Sequence, residues 1–81
     1  MDKADNPNII AGLKQSNKAV EAGEVSQAYV AHDADSEVVK PFLRLCEIKD
    51  VSIDRSYDMK ELAKFCKIEV PTAVAVVTIN N

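Results

Sequence analysis

The stretch TAVAVVTI, Thr72 to Ile79, determines the fold that we predict for this chain of 81 residues. It is almost wholly apolar and rich in β-branched side chains, a composition typical of a β-strand. Successive residues of a strand point to opposite faces of its sheet, and here both faces are apolar. Such a strand must be covered on both sides. The stretch therefore predicts a strand in a sheet that has other elements packed on each face.

The residues before this stretch alternate between strand-like and helix-like patterns. Strands are predicted at residues 8–12, 26–32 and 51–54, and helices at residues 13–22, 36–50 and 58–67. This alternation favours helices on both sides of a sheet. We therefore predict an α/β fold, a three-layer α/β/α sandwich with a small central sheet of about four strands. The chain is too short for two cores, so we expect a single domain, residues 1–81, with residues 1–7 loosely ordered.

Three local signals concern the helices. Asp58, followed three residues later by Glu61, is the pairing of an N-cap carboxylate with a returning side chain, and it predicts a helix start. Gly23 is a typical helix stop. Pro41 lies inside the second predicted helix, where its ring removes a hydrogen bond, so we expect a kink or a restart there.

Composition and charge restrict the class of protein. No run approaches the roughly 18 apolar residues that span a bilayer, and the start MDKADNPN lacks the apolar stretch of a secretory signal. We therefore expect a cytoplasmic protein without membrane contact. Cys46 and Cys66 are predicted to be small buried hydrophobes; a disulfide stays open, although a reducing compartment disfavours it. A single histidine cannot complete a zinc site, and we expect no metal or cofactor.

A catalytic interpretation rests on three polar residues at the end of the second predicted strand. His32, Asp33 and Asp35 lie where active residues often occur in open α/β sheets, and they could bind a metal or move a proton. The alternative is a turn, because aspartate favours turns and helix entries. No nucleophile, glycine-rich phosphate loop or second acidic cluster accompanies them, so we favour the turn and predict no enzyme.

The segment GLKQSNKAVEAG, Gly12 to Gly23, divides into two helical sides. One side carries Leu13, Ser16, Asn17 and Val20, and the other carries Lys14, Gln15 and Lys18. The second side is either a solvated face or a nucleic-acid contact. In the second interpretation, unpaired N–H groups at the helix start attract phosphate, and Gly12 permits close approach of a backbone. Lys14 and Gln15 would then reach base edges, and Lys18 would hold a phosphate.

The loop KIEVPTA, Lys67 to Ala73, is a second candidate contact. Ile68 and Val70 are either ordinary core residues or apolar side chains at a loop tip. In the latter case an unstacked base can rest on them, which is a common mode of RNA recognition.

Together these segments resemble the ribosomal-protein family of kink-turn RNA binders, the L7Ae and L30e type, most closely its small bacterial members. The resemblance covers about Asn8 to Ile79. It is carried, in order, by GLKQSNKAVEAG, AYVAHDAD, LCEIKDV and MKELAKFCKIEVPTAVAVV. The family usually has glycine at the positions of Asp50, Ala63 and Lys67, and proline at that of Ser36.

The resemblance implies a function and a set of RNA-binding residues. In the family, the equivalents of Gly12, Lys14, Gln15 and Lys18 dock into the widened major groove at the kink, and those of Ile68, Glu69, Val70 and Pro71 cover an extruded base. We therefore expect a non-catalytic, monomeric protein that binds kink-turn RNA, in the ribosome or another ribonucleoprotein. The net charge of −3 supports an alternative, a protein-interaction or scaffold domain of the same fold with weak or no RNA binding.

Overall fold

A computed structural model describes residues 8–79 of the chain. The elements are β1 (Ile9–Ala11), α1 (Leu13–Glu21), β2 (Val25–Val30), α2 (Ser36–Ile48), β3 (Ile53–Asp54), α3 (Met59–Cys66) and β4 (Val74–Thr78). Each predicted strand and helix is present, with ends that shift by a few residues. The expectation for residues 1–7 lies outside the described residues.

The four strands form one mixed sheet in the order β1–β4–β2–β3. Strand β4 is antiparallel to both of its neighbours, with Ala75 opposite Ala11 and Val74 opposite Val30. Strands β2 and β3 are parallel. As a result, β1 and β2 end where β4 begins. We call this side of the sheet the upper end.

Helices cover both faces of the sheet, as the apolar pattern of β4 predicted. On one face, α1 and α2 pack against β2 and β4 through a core that includes Val20, Val39, Phe42, Cys46, Val74 and Val76. On the other face, α3 packs through Leu62 against Ala31 and Ala75. Neighbouring residues of β4 thus enter different cores, because strand side chains alternate between faces. The three-layer α/β/α sandwich is confirmed.

Helix α2 contains Pro41 and nevertheless runs as one helix from Ser36 to Ile48. The predicted restart at this residue is wrong. Val39, Phe42 and Cys46 are fully buried on one side of the helix, whereas Pro41 lies on the exposed side. A proline removes one backbone hydrogen bond, and most helical stability in proteins comes from packing of the apolar face. The packing of α2 therefore outweighs the local signal.

The two cysteines are free thiols. Cys46 is fully buried, as predicted, and burial raises the pKa of its thiol to about 11, so the group stays neutral. Cys66 is half-buried, and burial raises its pKa as well. Within residues 8–79 there is no group of three or more His, Cys, Asp or Glu side chains that could hold a metal ion. In the same range, no helix is long and apolar enough to span a bilayer.

Candidate nucleic-acid interface

Helix α1 begins at Gly12, whose backbone has φ 99° and ψ 144°. Residues that carry a side chain rarely adopt this backbone conformation, whereas glycine adopts it without strain. A Cβ built at Gly12 would meet no described atom within 4 Å. Glycine is therefore required by the backbone and not by crowding inside the protein, and the space in front of it is open to another molecule.

The first turn of α1 presents polar groups to solvent. Lys14, Gln15 and Lys18 are exposed, while Ser16 and Val20 are buried, which confirms the predicted division of the helix. Among the described residues no side chain caps the start of α1, and its first turn has no acidic residue. The leading N–H groups of a helix have no partner within the helix. At α1 no side chain of residues 8–79 caps these groups, and they lie next to two lysines.

The loop after α3 is the second part of the candidate interface. Lys67 ends the helix in the left-handed conformation, with φ 61°, and the Ile68 N–H donates to the Ala63 carbonyl at 3.0 Å. Beyond this point Val70 is 65% exposed, an unusual position for a large apolar side chain. Glu69 and Pro71 are exposed as well, whereas Ile68 is half-buried. The loop thus presents apolar surface at its tip.

One carbonyl oxygen joins these two parts. The Val74 oxygen accepts a hydrogen bond from the Gly12 N–H at 3.1 Å and another from the hydroxyl of Thr72 at 2.8 Å. Thr72 is buried and directly follows the loop tip at residues 68–71. The start of α1 and the exit of the loop are therefore fixed side by side at the upper end of the sheet.

Thr72 and Val74 were missed by the sequence analysis as positioning residues. Thr72 is also held from the α3 side, because its N–H donates to the Met59 carbonyl at 3.4 Å. The one signal in the sequence was a hydroxyl at the start of an otherwise apolar strand. The acceptor on Val74 is a backbone atom, so no residue type identifies it.

The residues considered for catalysis have structural roles. The Asp33 carboxylate accepts the Met59 N–H at 2.9 Å, and the Asp35 carboxylate accepts the Glu37 N–H at 2.9 Å. His32 is exposed, and its backbone N–H donates to the Tyr57 carbonyl at 3.0 Å. The carboxylates hold the starts of α3 and α2, which fits the turn interpretation.

Asp50 and Lys67, two positions at which the resembled family usually has glycine, have a left-handed backbone conformation. Asp50 has φ 60° and Lys67 has φ 61°. A left-handed conformation costs a residue with a side chain roughly 1–2 kcal/mol. Ala63 is buried inside α3 and Ser36 is the first residue of α2. Asp50 and Lys67 therefore keep the backbone conformation that glycine favours, and the fold accommodates the resulting strain.

The fold and the site together define the class: a small three-layer α/β/α domain in which a helix start without a side-chain cap among the described residues lies beside the exit of a loop that has an exposed apolar tip. A family model described as "Ribosomal protein L7Ae/L30e/S12e/Gadd45 family" matches residues 1–81. The chain belongs to this family.

Relatives and solved structures agree with this membership. An RNA-binding protein of Caldanaerobacter subterraneus is 42% identical over 69 residues, which cover 85% of this chain and 84% of that protein. The RNA-binding protein YbxF of Geobacillus stearothermophilus is 32% identical over 69 residues, which again cover 85% of this chain and 84% of that protein. The 15.5 kD RNA-binding protein of Giardia lamblia superposes with a TM-score of 0.82 at 29% identity, over 91% of this chain and 62% of that one. This chain thus spans less than two thirds of the Giardia protein.

Proposed function

We propose that this chain is a non-catalytic, cytoplasmic RNA-binding protein that recognises and stabilises kink-turn RNA, and that residues 1–81 act as a single monomeric domain. Family membership and the relatives described as RNA-binding proteins support RNA as the ligand. The observation that carries the proposal is the Val74 carbonyl, which holds the uncapped start of α1 against the loop that ends at Thr72.

The chemistry of each part suits a different part of a bent RNA. The free N–H groups of α1 and the Lys18 ammonium suit phosphate oxygens. Lys14 donates to purine acceptors, and the Gln15 amide both donates and accepts, so these two side chains suit base edges. Such edges become reachable where a sharp bend opens the otherwise narrow major groove of RNA.

The loop suits a base that has left the stack. Val70 supplies exposed apolar area, with Ile68 partly covered behind it. Glu69 supplies an acceptor for amino or hydroxyl groups, and Pro71 fixes the exit of the chain toward Thr72. Proteins commonly read single-stranded or splayed-out bases by such contacts.

Binding of this kind acts by selection among RNA conformations. A kink-turn exists in open and bent forms, and the protein shifts the population only by its differential affinity for the two. The bent form brings purine edges, phosphates and the extruded base to one place, so it alone contacts both parts of the interface. We therefore expect the protein to bend the RNA as it binds.

Energy transfer between dyes on the two arms of a kink-turn RNA tests the proposal. Titration with protein to micromolar concentration is expected to raise the transfer efficiency as the arms close. The control is an RNA of equal length in which the sheared G·A pairs that flank the bend of a kink-turn are replaced by Watson–Crick pairs, and it is expected to stay open. If the first RNA also stays open, the proposal is wrong.

A protein-interaction or scaffold role is the second candidate, and exposed apolar residues on α2 favour it. Val38 is 46% exposed and Ile48 is 72% exposed, and the chain carries a net charge of −3. Affinity for RNA that falls steeply with salt would support the first function. Absence of retention on an RNA column at low salt would support the second. Under the first function we expect the protein to assemble with the ribosome or another ribonucleoprotein.

A further inference from the structure

A groove separates the outer side of α3 from the loop at residues 68–71. Its volume is about 380 Å³ and it is lined by Lys60, Ala63, Lys64, Ile68, Glu69 and Pro71. Three of these residues belong to the loop proposed above to cover a base. The opposite wall belongs to α3, to which the proposed function assigns no contact with RNA.

The wall formed by α3 carries positive charge. Lys60 and Lys64 are four residues apart, so they lie on one side of the helix, one turn from each other. Both are exposed, and this side is opposite the buried Leu62. Residues 60–67 contain three lysines and one acidic residue, Glu61. The segment is therefore basic in a chain whose net charge is negative.

The acidic residue of this segment is engaged elsewhere. The Glu61 carboxylate accepts the Asp58 N–H at 3.0 Å, and the Asp58 carboxylate accepts the Glu61 N–H at 2.7 Å. This capping box turns Glu61 back toward the start of the helix. Within the groove, Glu69 on the loop supplies the remaining carboxylate. The groove is thus lined by two lysines, by three apolar residues and by one carboxylate.

We propose that Lys60 and Lys64 hold the phosphate backbone of the RNA strand that passes over the loop, so that the bound RNA extends from the upper end of the sheet onto the outer face of α3. The charge of the two lysines is complementary to phosphate, and phosphate contacts provide much of the affinity for nucleic acid. Ala63, Ile68 and Pro71 supply apolar contact for a ribose or base, and Glu69 can accept from a ribose 2′-hydroxyl. This inference rests on the proposed function.

The test compares two double variants that lose the same charge. Lys60→Ala with Lys64→Ala removes the groove lysines, and Lys40→Ala with Lys49→Ala removes two exposed lysines of α2 and its end, on the other face of the sheet. Affinity for a kink-turn RNA is measured between roughly 50 and 200 mM salt. For two lost phosphate contacts to a single strand, the slope of log K against log salt falls in magnitude by about 1.4.

The expected result is this fall in slope, with weaker binding, for the groove variant and an unchanged slope for the α2 variant. Equal slopes in the two variants would overturn the inference while leaving kink-turn binding intact. Absence of RNA bending by the unaltered protein would overturn the proposed function and this inference with it.

A measurement on the unaltered protein excludes folding effects of the substitutions. Acetylation of lysines by a water-soluble reagent, with and without kink-turn RNA, is followed by mass spectrometry. Lys60 and Lys64 are expected to be protected by the RNA, and Lys40 and Lys49 are expected to react equally in both conditions. Reaction of Lys60 and Lys64 that is unaffected by saturating RNA would contradict the inference.

Discussion

The start of α1 and the starts of α2 and α3 face the same chemical requirement and meet it differently. At α2 the Asp35 carboxylate accepts the Glu37 N–H, and at α3 Asp58 and Glu61 form a reciprocal capping box. At α1 the cap position is Gly12, without any side-chain hydrogen bond. Two helix starts are thus satisfied within the chain, and one is left without such a cap.

The charges follow the same division. The second residue of α2 is Glu37, whereas the second residue of α1 is Lys14. A helix N-terminus has positive potential, so an acidic residue there is stabilising and a lysine is not. The arrangement at α1 lowers the stability of the free protein slightly. It is explained if an anion from outside, such as RNA phosphate, completes the helix start.

The largest expected effect concerns the side chains of α1 that are proposed to contact RNA bases. Lys14→Ala combined with Gln15→Ala is expected to weaken kink-turn binding by about 2–6 kcal/mol, because each lost base contact is worth roughly 1–3 kcal/mol. The measurement is titration of labelled RNA. Lys49→Ala, which removes an exposed lysine at the end of α2, is the control for charge. Equal affinities of the double variant and the control would remove the functional distinction between α1 and the other helices.

The next effect concerns the cap of α2. Asp35→Ala is expected to lower the free energy of unfolding by about 1 kcal/mol, within the roughly 0.5–2 kcal/mol that N-cap removal costs. Denaturant unfolding measures this loss. RNA affinity is expected to stay the same, because Asp35 satisfies its own helix and is absent from the proposed interface. A loss of RNA affinity without a loss of stability would mean that α2 also contacts the ligand.

A third effect concerns a polar group inside α1. The Ser16 hydroxyl is fully buried and has no hydrogen-bond partner among the described residues. A buried unsatisfied group is destabilising, so Ser16→Ala is expected to raise the free energy of unfolding by about 1 kcal/mol. Thermal unfolding measures the gain, and RNA binding serves as the control. Lower stability would indicate that the hydroxyl has a partner, for example an ordered water.

The smallest expected effect comes from a substitution that makes the start of α2 resemble the start of α1. Glu37→Lys places a lysine at the second position of α2 and is expected to lower stability by about 0.3–1 kcal/mol through the helix dipole. It is not expected to increase bending of kink-turn RNA, because the Asp35 carboxylate still accepts a hydrogen bond from the N–H of residue 37. Energy transfer in the labelled RNA measures this. Stronger bending would show that charge alone, without an uncapped helix start, is sufficient.

Much of the fold could be predicted because its signals are local. The spacing of Asp58 and Glu61 predicted the start of α3 without reference to tertiary contacts. Gly23 predicted the end of α1, where its φ is 73°. The apolar pattern of Thr72 to Ile79 required two covered faces, and both are covered. The helix restart predicted at Pro41 was wrong because the burial of Phe42 and its neighbours depends on contacts with strands that are distant in sequence.

For the interface, side-chain exposure could be predicted but placement could not. The helical period placed Lys14, Gln15 and Lys18 on the exposed side of α1. The meeting of Gly12 with the loop depends on the insertion of β4 between β1 and β2. Both this strand order and the shared Val74 oxygen depend on backbone contacts between Gly12 and Val74, which are more than 60 residues apart in the sequence. Only the resemblance to a family supplied the pairing in advance.

The central position of β4 has a consequence for biosynthesis. During translation β1 and β2 emerge early, yet neither has its main partner until residues 74–78 have left the ribosomal tunnel. Pairings between distant segments form late and slowly. The nascent chain therefore lacks the carbonyl that fixes Gly12 and Thr72, so the two parts of the candidate interface are expected to come together only when β4 has paired. Competence to bind would arrive in one step, together with the closing of the sheet.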